Sequence, residues 1–127
     1  MKNTLLVTAL SLIISFSSFA SAQSLSGPQK NAVRSANAYL SMSGFSRNGL
    51  IEQLSSPYGD GYEKHDATVA VDSLSVDWNE QAVRSARQYL DMSGFSCQGL
   101  IDQLSSEFGE KFTKSQATHG ARQAGAC

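Results

Sequence analysis

The sequence is short of most features that would make a function easy to read. It holds two cysteines and two histidines in 127 residues. The histidines, His65 and His119, do not stand at a metal-ligand spacing and read as solvated surface groups. No G-x-S-x-G elbow, P-loop or H-E-x-x-H is present, which removes the commonest hydrolase, nucleotide and zinc-protease signatures. Asp60-Gly61 lacks the ladder of acids and the terminal Glu of a calcium loop. Strand-like alternation never runs beyond a few residues. After position 22 no apolar run approaches the ~20 residues of a membrane helix. Positive charge is scarce too: nine basic residues face eleven acidic ones after position 22, a net charge of −2. Counterion-driven nucleic-acid binding needs the opposite balance. No cofactor or metal is expected.

The first 22 residues have the plan of an export signal. Lys2 supplies a short positive start, Leu5 to Ile14 is mostly apolar, and Ala20-Ser21-Ala22 gives the small-residue pattern that signal peptidase reads. Cleavage is expected between Ala22 and Gln23, with an uncleaved membrane anchor as the alternative. Export changes the meaning of the cysteines, because thiols pair in oxidising compartments and stay free in the cytosol. An intramolecular disulfide between Cys97 and Cys127 is the preferred reading; free thiols or an intermolecular bond are the alternatives.

What remains is a sequence that repeats itself. From Ala32/Ala82 to Gly59/Gly109, at a constant offset of 50, 20 of 28 positions are identical. Shared helical periodicity cannot produce that, so the region is a tandem duplication. The expected organisation is a signal peptide (1–22), a first repeat (23–76) and a second repeat (77–127).

Each repeat reads as three helices. Ala32, Ala36 and Tyr39, with Val33 and Leu40 beside them, form a helical stripe over about 29–43, matched over 79–93. Asp77 and Glu80 are spaced as a capping box, with Ser26 and Gln29 a weaker equivalent. Gly44 and Gly94 stand where a left-handed C-cap would be wanted. In the second helices Ser46 and Ser96 are N-caps. Phe45 and Phe95 then sit at staple spacing from Leu50 and Leu100. Gly49 and Gly99 cost helix propensity and suggest close helix–helix approach. The third helices differ. Ala67, Ala70, Val71 and Leu74 in repeat 1 correspond to Ala117, Gly120, Ala121 and Ala124 in repeat 2. Buried Leu→Ala changes cost ~2–5 kcal/mol, so the last helix is expected to be weakly held, although Thr113 and Gln116 can cap its start.

The expected fold is all-α: two tandem three-helix, helix-turn-helix-like repeats packed together after a signal peptide. Units of ~50 residues are marginal alone, and Trp78 at the junction is the natural filler between them. A helix-turn-helix outline suggests DNA binding. Against it, the helix from Arg47 carries one Arg and one Glu, and its partner from Cys97 an Asp and no base.

The segments Tyr39-Leu40-Ser41-Met42-Ser43, Gly44-Phe45-Ser46, Gly49-Leu50-Ile51-x-Gln53-Leu54, Tyr58-Gly59 and Asp77-Trp78-Asn79-Glu80 resemble the repeats of the Ltp family. Its members are host cell surface-exposed lipoproteins of bacteria and prophages. The resemblance covers nearly all of the chain after the signal. It implies tandem helix-turn-helix domains outside the membrane and superinfection exclusion, in which DNA injection is blocked through contact with the phage tape-measure protein. Gln23 stands where a lipidated Cys would be, so a soluble exported protein is expected, periplasmic or secreted. The reading is thus a non-enzymatic protein-binding module. Its alternative is an envelope module that binds cell wall or another exported protein. An enzyme has no residue constellation to support it. For a basic partner, the candidate contact groups are Asp91, Asp102, Glu107 and Glu110.

Overall fold

The computed structural model describes residues 24–127. The signal segment and the Ala22/Gln23 junction lie outside the described residues. Six helices follow one another: α1 (Gly27–Met42), α2 (Arg47–Ser55), α3 (Lys64–Asp72), α4 (Trp78–Met92), α5 (Cys97–Ser105) and α6 (Lys114–Gln123). Among the described residues there is no strand, and the fold is all-α.

Side-chain caps start five of the six helices. Ser46 and Ser96 accept from the N–H groups of Gly49 and Gly99, as the sequence implied. Ser26 with Gln29 and Thr113 with Gln116 form complete capping boxes. Asp77 does not: it accepts from the Glu80 N–H, but no reciprocal bond from Glu80 closes the box. Glu80 in the first turn still interacts favourably with the positive end of the helix, without a bond to the cap.

Two glycine expectations are corrected. Gly44 and Gly94 are not left-handed; the only positive-φ glycines among the described residues are Gly61 and Gly125. The extended backbone of Ser43 and Ser93 ends α1 and α4 instead. Gly49 and Gly99 do not mark a helix crossing. A Cβ there would sit 2.9 and 2.8 Å from the N-cap hydroxyls of Ser46 and Ser96, and at Gly49 also 3.2 Å from the Glu110 carbonyl oxygen of repeat 2.

Each repeat has its own core. Leu50, Ile51 and Leu54 of α2 are buried against Ala36 of α1 and Ala67 and Val71 of α3. Leu100, Ile101 and Leu104 do the same against α4 and α6. Each fully buried Leu contributes on the order of 1.5–3 kcal/mol. Tyr39–Phe45 and Tyr89–Phe95 meet edge to face, with ring centroids 5.7 and 5.6 Å apart. The staple residue of each second helix is thereby fixed on the first. Trp78 opens α4 but packs, half-buried, on the core of repeat 1 with Leu74.

The last helix, expected to be weakly held, packs closely on α4 despite its small side chains. Ala117, Gly120 and Ala121 are all buried, and a Cβ on Gly120 would lie 2.6 Å from the Ala82 carbonyl oxygen. Small side chains let α6 approach the α4 backbone closely. Phe112, buried where repeat 1 has half-buried Tyr62, adds volume to the same core.

Candidate partner-binding surface

The duplication carries a polar network in each copy. Tyr39 donates its hydroxyl to Asp60 (2.7 Å) and accepts from Gln53 Nε2 (3.2 Å). Tyr89 donates to Glu110 (2.6 Å) and accepts from Gln103 Nε2 (3.2 Å). These clamps pin the loop after each second helix to the first helix. Burial, and then the Glu110 carboxylate, push the Tyr89 hydroxyl up to about 12. The Asp60 bond, with burial second, raises Tyr39 as well. The helical stripe marks both tyrosines as core-facing and gives no sign of the acid that waits for each hydroxyl.

The position that fails to repeat has a structural counterpart. In repeat 1, Arg47 at the start of α2 makes a two-pronged ion pair with Asp72, the last residue of α3 (2.6 and 2.7 Å). Those hydrogen bonds hold the Asp72 carboxyl below the usual carboxylate range. In repeat 2 the positions of Arg47 and Asp72 are taken by Cys97 and Arg122, a pairing that cannot attract. A disulfide from Cys97 to Cys127, with Cα atoms 4.7 Å apart, joins α5 to the segment after α6 instead. Both repeats thus tie the start of the second helix to the end of the third, one by charge and one covalently. Ala124 and Ala126, on the tied segment, pack on the repeat 2 core.

The repeats meet at a polar seam. Gln88 of α4 accepts from the Ser43 hydroxyl (3.0 Å) and the Gly44 N–H (3.1 Å), and Gln81 accepts from the Phe45 N–H (3.4 Å). Arg84 donates to the Leu40 carbonyl (2.7 Å), satisfying one of the orphan acceptors at the α1 C-terminus. Ser46 donates to the Glu110 carbonyl, and Lys111 pairs with Glu52. Lys111 holds a left-handed backbone (φ 59°) where repeat 1 has Gly61 (φ 70°). Gly44 makes the approach possible: a Cβ there would lie 2.5 Å from Ser85 Oγ and 2.7 Å from Ser85 N.

The four candidate acids are not gathered into one patch. Asp91 and Glu110 line one groove of about 500 Å³ with Met92 and Gln88, but Glu110 is already bonded to Tyr89. Glu107 lies exposed in a different groove beside Arg47, Lys64 and Lys111, of which Arg47 pairs with Asp72 and Lys111 with Glu52. Asp102 is exposed on α5 and accepts from Gln98 (2.8 Å). Periodicity places them all outside the core, but their separation depends on how the repeats are joined. The exposed apolar side chains fall at equivalent positions: Met42 with Met92, and Tyr58 with Phe108, the last two fully exposed. Both histidines are exposed. Among the described residues no three His, Cys, Asp or Glu groups could hold a metal ion, and no helix is long and apolar enough to cross a membrane.

The likenesses agree with this architecture. A comparison with curated protein sequences finds no match. In the solved structures, the chain is similar to that of Ltp, a superinfection exclusion protein from the Streptococcus thermophilus temperate phage TP-J34. The identity is 31% and the TM-score 0.69, covering 78% of this chain and 97% of that one. The family model described as host cell surface-exposed lipoprotein matches residues 28–74 and again 77–122, one match on each three-helix unit. With most of its length matched twice over, the chain belongs to the Ltp family of host cell surface-exposed lipoproteins.

Proposed function

We propose that this protein is an exported, non-enzymatic binding protein that acts in superinfection exclusion by contacting a protein of an incoming phage. The observation that carries the reading is the likeness to the phage TP-J34 exclusion protein across nearly its whole solved chain. The geometry supports binding over catalysis. The polar clusters of both repeats are consumed in clamps and in the seam, and the open features are surface grooves and exposed apolar side chains. The partner we propose is the tape-measure protein, met outside the cytoplasmic membrane, in the periplasm or beyond it. For a basic segment of that partner, Asp91, Asp102 and Glu107 are the candidate acids outside the tyrosine clamps and the ion pairs. Glu110 is held by Tyr89.

The test is to express the full chain in a phage-sensitive host and measure plating efficiency and DNA injection over a broad phage panel. Protection against some phages is expected, reduced by Asp91→Asn with Asp102→Asn at unchanged protein level. Unaltered plating and injection throughout would count against the reading.

A further inference from the structure

The seam between the repeats is heterologous: the end of repeat 1 is received by the α4 face of repeat 2, and the two surfaces differ. Contacts of that kind leave one half of the interface vacant on each unit. On repeat 2 the vacant half is the end of α4 and the turn into α5. It holds the groups that repeat 1 uses in the seam, namely the Leu90 carbonyl, Ser93, the N–H groups of Gly94 and Phe95, and Ser96. Ser46 is 1% exposed in the seam, whereas Ser93, Gly94 and Ser96 are all exposed.

Gly94 is the telling residue. Its backbone is not left-handed, and a Cβ built on it meets nothing within 4 Å. Nothing among the described residues requires glycine there. At Gly44 the same residue is required because a helix presses against it. Beside this surface stands Asp102, the counterpart of Glu52, which pairs with Lys111 across the seam.

We propose that this end of repeat 2 is a docking surface for a helix of a partner protein that presents the α4 pattern: Gln, Arg, a small residue and Gln at i, i+3, i+4 and i+7, with a lysine placed for Asp102. The α4 residues in that register are Gln81, Arg84, Ser85 and Gln88. Arg satisfies the Leu90 carbonyl, the amides receive the Ser93, Gly94 and Phe95 donors, and the small residue lets the helix close on Gly94. A second copy of this chain is a poorer occupant. Its vacant α1 face has Asn31, Ala38 and Gly61 where the seam uses Gln81, Gln88 and Lys111, so it lacks an amide and the cation. The surface follows from the seam and does not depend on a role in phage exclusion. In trans the contact loses the high effective concentration that the chain linkage gives the seam, so weak, saturable binding is expected.

The experiment grafts Gln-x-x-Arg-Ser-x-x-Gln, with an adjacent lysine, onto the exposed face of a stable designed helical bundle and titrates it into the isotopically labelled full chain. Saturable amide shifts at Gly94 and Phe95 are expected. Gly94→Val and, separately, Asp102→Lys should each weaken binding at least ~10-fold while leaving the melting temperature in place. Absence of saturable shifts at millimolar bundle, or binding indifferent to both variants, overturns the proposal. Concentration-dependent self-association abolished by Gly94→Val and by Arg34→Ala would also overturn it, by making a second copy the occupant.

Discussion

Ser85 Oγ is buried and has no hydrogen-bond partner among the described residues, and the duplication explains why. Its counterpart Ser35 shares a hydrogen bond with the Tyr62 hydroxyl (3.1 Å), but repeat 2 has Phe112 at that position. The hydroxyl is present in both copies, and its partner in one. Ser85→Ala is expected to be neutral or stabilising, and Phe112→Tyr to stabilise, each by about 0.5–1.5 kcal/mol, read from denaturant midpoints. A loss of stability in both would contradict this account. Tyr89 carries a second prediction at the same scale. Its folded pKa of about 12 lies above the ordinary 10.0, so the folded state holds the proton more tightly than the unfolded state. That contribution is complete below pH 10 and is lost as pH rises through 12. Tyr89→Phe should flatten the alkaline fall in melting temperature over this window, and a fall of the same steepness in the variant would exclude Tyr89 as its source.

At the scale of elements, the two repeats solve one problem with different chemistry. The second helix is only nine residues long in each, too short to hold itself, and its start is tied to the end of the third. An exposed ion pair such as Arg47–Asp72 contributes ~0–1 kcal/mol. Closing the 30-residue span from Cys97 to Cys127 contributes about 3–4 kcal/mol in the chain-entropy account. Reduction, or Cys97→Ser, should therefore cost several times more than Arg47→Ala. Hydrogen exchange should show the loss first in α6. Equal costs would mean that the disulfide holds nothing the packing does not. The helices themselves were legible because caps, staple spacing and apolar periodicity agree over 27–123. The tightness of α6 was not, because an Ala/Gly face signals either a cavity or a close approach. Only the position of Ala82 decides between them.

Over the whole molecule, the repeats are two cores joined by directional polar contacts and by Trp78 of α4, which packs on the repeat 1 core, a construction that makes the joint specific. Gly44→Val would drive a side chain into the Ser85 backbone. We expect it to open the seam at a cost of ~1–3 kcal/mol with both cores retained. The signs are a larger radius of gyration and faster exchange of the Gly44 and Phe45 amides. Gly94→Val should change neither, and equal behaviour of the two variants would refute the asymmetry. The candidate acids show the limit of sequence at this scale. Asp91, Asp102, Glu107 and Glu110 are all readable as outside the core, but the fold assigns Glu110 to a tyrosine and sets Glu107 in a different groove from Asp91.

The sequence by itself determined the duplication, the helical class, the caps and the apolar faces, since each is a local property of spacing and side-chain type. The Ltp resemblance was equally local, carried by motifs within each repeat. Tertiary structure alone decided which surfaces of two near-identical units are used and which stay open. Identical residues, Gly44 and Gly94 or Ser46 and Ser96, differ only in what stands against them. It also decided that Cys97 replaces an ion pair, because residues 72 and 127 come near the starts of α2 and α5 only once the helices have packed.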